Sequence, residues 1–161
     1  MDNTIRLSKD DRLVLEIVTD EGDKTGEYLT FDLEDIELPL KYQKMLEEER
    51  KNRNWLKNQE VILSKKQDVK KKGAFMTEKE LETVKVVNSF FNKEVEIYNM
   101  FLGENGVQKL LNGRPMGWTR LNEINKIIET YIVPKLNIKK DTIINKIKST
   151  YSLDESKQVL K

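Results

Sequence analysis

Residues 77–103 read TEKELETVKVVNSFFNKEVEIYNMFLG, and the architecture follows from this stretch. Thr77-Glu78-Lys79-Glu80 is a capping box, in which the Thr77 hydroxyl accepts from the third helical N–H and Glu80 reaches back. Gly103 supplies a stop, because glycine tolerates the backbone that ends a helix. The interval predicts a helix running to Leu102, about 39 Å at a rise of about 1.5 Å per residue. Leu81, Val84, Phe91, Val95, Tyr98 and Leu102 recur at three- and four-residue spacing along one face. Val86 or Val87, Phe90, Ile97 and Phe101 make a second. A helix apolar over so wide an arc has to be covered on more than one side.

The chain beyond it supplies cover. Asn105-Gly106 turns the backbone, Val107 to Leu111 fits a short helix, and Asn112 to Gly117 is a loop. Leu121, Ile124, Ile127, Ile128, Tyr131 and Ile132 predict an amphipathic helix from about Trp118 to Val133, closing near Pro134. In the remaining tail, Asp141 caps a predicted helix holding Ile143, Ile144, Ile147 and Tyr151. Ser152-Leu153-Asp154-Glu155 matches a second capping box before a last turn with Val159 and Leu160.

Upstream, Leu13, Leu15 and Ile17 alternate with Val14, Glu16 and Val18, and Tyr28 to Leu33 makes a second run. The Gly-rich turn between them predicts a β-hairpin, with Thr4 to Leu7 as a candidate edge strand. Two strands alone are marginal in water, so the hairpin must pack on a helix or a neighbouring subunit. Pro39 sits where a helix can begin. The helix that follows has apolar positions at Leu38, Tyr42, Met45 and Leu46, then few until Trp55, Leu56 and Val61 to Leu63. Glu47 to Asn54 reads as solvated, leaving two readings: a helix projecting from the core in its middle, or an arm that makes its contacts in an assembly. Lys65 to Gly73 reads as a basic linker.

The expected class is therefore α+β, mostly helical, with a small N-terminal β-hairpin followed by a helical domain. Its predicted parts are a β-rich segment (1–37), a long polar helix with basic linker (38–75), a helical core (76–136) and a helical tail (137–161). The 161 residues suit one domain with an appendage. The net charge of +1 conceals segregation: net −8 over 1–40, +6 over 41–75, 0 over 76–136 and +3 over 137–161. Such polarity suits charge pairing within or between subunits as well as any ligand.

The chain contains no Cys and no His, which removes disulfides, thiolate chemistry and the side chain best suited to proton transfer at neutral pH. No P-loop, dinucleotide fingerprint or calcium loop occurs, and no catalytic, cofactor or metal residue is assigned. The acidic pairs Asp10-Asp11, Asp32 with Glu34 and Asp35, and Glu47 to Glu49 read as solvated faces, and Glu34, Asp35 and Glu37 favour the positive end of the helix after them. The lysine run lacks the aromatic interleaving of a single-strand binder, which argues against nucleic acid. The start Met1-Asp2-Asn3-Thr4 has no signal-peptide pattern and no stretch is long and apolar enough for a membrane span, so a cytoplasmic protein is expected. Phe90, Phe91, Tyr98, Phe101 and Trp118 are the candidate partner-binding residues, with a core role as the competing explanation.

The order of elements, with Phe90-Phe91, then Ile97-Tyr98-Asn99-Met100-Phe101-Leu102-Gly103-Glu104-Asn105-Gly106, then Leu110-Leu111, resembles the tail assembly chaperones of long-tailed phages and prophages. The likeness covers roughly residues 28–136 and rests on an aromatic helix breaking into a Phe-x-Gly-x-x-Gly-like turn. It implies a non-enzymatic, self-associating protein in the host cytoplasm. Such a protein binds the tape measure protein and tail-tube subunits during tail assembly. A structural component of a tail or virion, and a nucleic-acid-associated or anti-defence phage protein, are the alternatives.

Overall fold

The computed structural model describes residues 3–7 and 11–159. It is an α+β chain, mostly helical, opening with a hairpin. Strands β1 (Arg12–Val18) and β2 (Lys24–Asp32) pair antiparallel, from Arg12 opposite Asp32 to Glu16 opposite Tyr28, with an irregularity between Glu16 and Val18. Gly22, at φ 86°, takes the left-handed turn position, and its N–H donates to the Thr19 carbonyl at 2.8 Å. Leu29 and Phe31 of β2 are buried, whereas Leu13, Leu15 and Ile17 of β1 are only half covered. The hairpin thus docks on the helices mainly through β2. Residues 3–7 join no strand, so the expected edge strand is absent there.

Helix α1 (Glu37–Ser64) and helix α2 (Glu78–Leu102) lie against each other as an antiparallel pair. On α1, Leu38, Met45, Glu49, Asn52 and Leu63 are buried and Tyr42, Leu56 and Gln59 half-buried, and these eight positions alternate in steps of four and three. That is the seam of a two-helix coiled coil. The expectation that Glu47 to Asn54 is almost wholly solvated is therefore corrected: Glu49 and Asn52 are 9% and 7% exposed, because they occupy seam positions. The facing positions on α2 are Phe90, Glu94, Ile97 and Phe101, all buried. The capping box forms as read, with Glu80 N–H donating to Thr77 Oγ1 at 3.1 Å and Thr77 N–H to Glu80 Oε1 at 3.0 Å. Gly103, at φ 95°, ends the helix.

Short helix α3 (Gly106–Leu111) packs back on α2. A Cβ on Gly106 would lie 2.6 Å from the Leu102 Cβ, so only glycine lets the two backbones approach this closely. The Arg114 guanidinium donates to the Leu110 and Leu111 carbonyls at 3.2 and 2.8 Å, satisfying the C-terminus of α3. Helix α4 (Trp118–Ile127) then covers the second face of α2 through Leu121 and Ile124, and Tyr98 Oη donates to Asn125 Oδ1 at 2.6 Å.

The expected helix end at Pro134 does not occur. Ile128–Ile132 forms a widened π turn, with the Val133 N–H bonding the Ile128 carbonyl five residues back, and helix α5 (Val133–Val159) continues from it. Proline has no N–H to give and its ring crowds the carbonyl four residues earlier; the wider turn accommodates both. Asp141 and Ser152 accordingly lie inside α5 and start no helix, and the boundary expected at 136/137 falls within it. Leu160 lies outside the described residues. Ile128, Ile132 and Leu136 are buried, and beyond Lys139 the helix leaves the core.

Candidate functional site

Three regions carry features beyond simple packing: a polar layer in the α1–α2 seam, an uncovered arm, and the aromatic group. The polar layer follows from the seam spacing, which places Glu49 and Asn52 of α1 over Glu94 of α2. Asn52 Nδ2 donates to the Phe90 carbonyl at 3.1 Å, and Arg53 pairs with Glu49 one helical turn away. Glu94 is 0% exposed, and neither of its oxygens meets a partner with hydrogen-bond geometry. Burial, reinforced by the neighbouring Glu49 charge, pushes its carboxyl up to about 8. At neutral pH the folded chain therefore holds Glu94 predominantly protonated. Burial and the two glutamates also raise the Tyr98 hydroxyl, whose bond to Asn125 keeps it satisfied.

This carboxylate pair was not singled out in the sequence, although the step-four, step-three spacing through Glu49 was there to be read. A shallow groove of ≈ 370 Å³ lies beside it, lined by Glu48, Lys51, Asn52, Trp55, Ser89 and Lys93, but not by Glu94. Glu94 therefore ties the packing of α2 on α1 to its own protonation state and does not line this groove. Among the described residues no cluster of three or more acidic side chains could hold a metal ion.

The other acidic pairs have local partners. Asp32 Oδ1 and Asp35 Oδ1 each accept a backbone N–H two residues on, at 3.0 Å, shaping the turn into α1. Asp35 pairs with Lys41 and Glu34 with Lys139, each at 3.5 Å. Glu48 sits between Lys44 and Lys51, and its bond to Lys51 holds its carboxyl below the ordinary value. Asp10 of the Asp10-Asp11 pair lies outside the described residues.

The arm is the part of α1 and α2 that extends past the other helices. Residues 78–89 of α2 make up about 18 Å of helix against α1. Here Leu81 and Val84, expected to lie on a covered face, are exposed, together with Val61 and Ile62 of α1. Phe75, in the connection between the two helices, is 93% exposed. The lysine run lies at the same end, where Lys66 pairs with Glu82 and Lys71 with Glu78 at 3.2 Å. Part of the basic run thus balances the acidic start of α2.

Of the five aromatic candidates, four are core. Phe90, Phe91, Tyr98 and Phe101 are all buried, at 6% exposure or less. Phe101 meets Phe31 and Tyr42, with ring centroids 5.4 and 5.1 Å apart, which ties the hairpin and α1 to α2. Phe91 meets Phe90 at 5.1 Å and Trp118 at 4.8 Å, both edge to face. Trp118 is 56% exposed and is the one of the five with surface to offer. From Phe90 to Leu102 the two apolar faces of α2 are covered by α1 and the hairpin on one side and by α3 and α4 on the other, whereas Leu81 and Val84 nearer its start stay exposed. No helix among the described residues is long and apolar enough to cross a membrane. No family model, curated protein or solved structure matches this chain.

Proposed function

We propose that this chain is a protein-binding assembly factor without enzymatic activity, of the tail assembly chaperone kind, whose arm holds an apolar helical client such as a tape measure protein. The observation that carries the reading is the exposed apolar side chains of the arm, Val61 and Ile62 of α1 and Leu81 and Val84 of α2, in a stretch where the pair has no third helix against it. Helix pairs with an open apolar flank are receptive to a further amphipathic helix. Half-exposed contacts of this type give weak, exchangeable binding, suited to a client that is later released. The sequence likeness over residues 28–136 supplies the client class.

The test is co-expression of the full chain with a tape measure fragment that is insoluble alone. The fragment becomes soluble with the wild-type chain and returns to the pellet with the double variant Ile62→Lys, Val84→Lys. Both positions are more than half exposed, so the variant keeps its fold, checked by circular dichroism. Equal solubilisation by a folded variant would remove the arm from the reading. No solubilisation by the wild type would remove the reading itself.

A further inference from the structure

A trough runs along β1 on the side away from the arm. It comprises two adjoining hollows of ≈ 480 and ≈ 410 Å³ that share Ile17, Val18, Leu110 and Ile127. Its floor is apolar, formed by the half-covered side of β1 with Leu110, Ile127 and Tyr131. Its rim is acidic: Asp20, Glu21 and Asp23 lie at the hairpin turn and Glu123 lies across from them. Arg114 faces Glu123 at 3.8 Å, while Asp20, Glu21 and Asp23 have no ion-pair partner among the described residues.

The same chain carries a helix of the opposite kind. Past Lys139, α5 projects with Ile144, Ile147 and Tyr151 at 43%, 52% and 66% exposure, spaced as a single stripe. Lys146 and Lys148 flank that stripe and have no ion-pair partner among the described residues. From Ile138 to Tyr151 the helix rises about 20 Å, and β1 with its turn, Val14 to Asp20, spans about 20 Å. The lengths, apolar surfaces and charges correspond.

We infer that the projecting half of α5 docks in the β1 trough of a second copy of this chain. Docking within one chain is ruled out by reach. Ile127 and Tyr131, on the trough floor, belong to the same continuous helical run as Ile147, about 30 Å further along the axis from Ile127. A helix cannot turn back onto its own stem without breaking. The contact is heterologous, so two copies either exchange tails reciprocally or continue head to tail. It needs no client, and it uses none of the arm residues.

The experiment is sedimentation velocity on the full chain with paired charge reversals. The wild type is expected to exceed the monomer mass at tens of micromolar and to dissociate as salt rises. The trough variant Asp20→Lys, Glu21→Lys and the tail variant Lys146→Glu, Lys148→Glu should each self-associate at least about tenfold more weakly. Mixing the two should restore a complex, because the reversed trough now meets the reversed tail. All four positions are exposed, so folding is unaffected. A monomeric wild type, self-association unchanged by either reversal, or a mixture that fails to associate would each overturn the inference. A monomeric wild type that binds an unrelated basic amphipathic peptide in the trough would overturn it too, by assigning the trough to a foreign partner. A failed solubilisation assay with intact self-association would leave this contact standing, so the two readings fail separately.

Discussion

Glu94 gives the sharpest quantitative expectation. In the unfolded chain its carboxyl titrates near the ordinary value of 4.5, whereas in the folded chain burial and Glu49 push it up to about 8. The folded state thus binds more protons than the unfolded state between these two values. Stability must fall as pH rises through that window, by about 1.4 kcal/mol per unit at most. Below pH 4.5 both states hold the proton and nothing is lost; above 8 both have released it and the loss is complete. At pH 7 the loss attributable to Glu94 is about 3 kcal/mol, a substantial part of the 5–15 kcal/mol typical of a domain. Glu94→Gln keeps the shape and removes the ionisation. Urea denaturation of wild type and variant at pH 5 and pH 8.5 isolates the effect, because the other carboxylates contribute equally to both proteins. The variant should match the wild type to within about 1 kcal/mol at pH 5 and exceed it by about 3 kcal/mol or more at pH 8.5. Glu49→Gln should reproduce part of the gain, since its charge is the second cause of the shift. Parallel loss of stability in wild type and Glu94→Gln across the window would refute the reasoning.

Two further substitutions separate core from surface. Phe91→Ala should cost about 3–5 kcal/mol in thermal or urea unfolding, whereas Trp118→Ala, which forfeits an edge-to-face contact at a half-exposed site, should cost about 1 kcal/mol; equal costs would contradict the assignment of Trp118 to the surface. Gly106→Ala should lower stability by about 1–3 kcal/mol, because its Cβ meets the Leu102 Cβ at 2.6 Å and α3 must lift from α2; an unchanged unfolding midpoint would show that the two backbones are not held at that distance.

The sequence made α2 legible because its start, stop and apolar arc are all local signals: Thr77 with Glu80, Gly103, and two faces that α1 and α4 cover. The hairpin was legible from alternation and its turn. The course of α1 was not. Three of its eight seam positions, Glu49, Asn52 and Gln59, are polar, so a search for apolar residues finds the stripe broken, while Leu46, Val61 and Ile62 draw attention to the outer face. The step-four, step-three spacing persists through the polar positions and is the better guide. The run through Pro134 was hidden for another reason. Proline is a helix breaker unless the preceding turn widens, and that widening is set by the packing of Ile128 and Ile132 rather than by local preference. Phe90, Phe91, Tyr98 and Phe101 were correctly placed on one helix, with Trp118 beyond it, but spacing alone does not distinguish a face covered by the chain from one left for a partner. That distinction needed the positions of α3, α4 and the hairpin.

The polar layer also bears on how the arm keeps its register. In an antiparallel helix pair, sliding one helix by seven residues restores the step-four, step-three pattern and re-forms an apolar seam. Such a slip would move Glu49 from Glu94 to a position beside Val87 or Phe101, and would set Glu94 against Tyr42 or Leu56. It would also take the Asn52 amide from the Phe90 carbonyl. Each polar group would then be buried against apolar side chains without its present neighbours, which costs several kcal/mol. Native pairing gathers these groups in one layer, where Asn52 donates to the Phe90 carbonyl, Glu49 pairs with Arg53 and Glu94 is held in its neutral form. Replacing Glu49, Asn52 and Glu94 together by Leu should therefore raise overall stability at neutral pH and admit slipped registers. Spin labels at Lys51 and Lys93, exposed on the same groove, read the outcome as distances. The wild type should give one narrow distance distribution and the triple variant more than one. A single distance in a more stable triple variant would show that the loops and hairpin set the register without the polar layer.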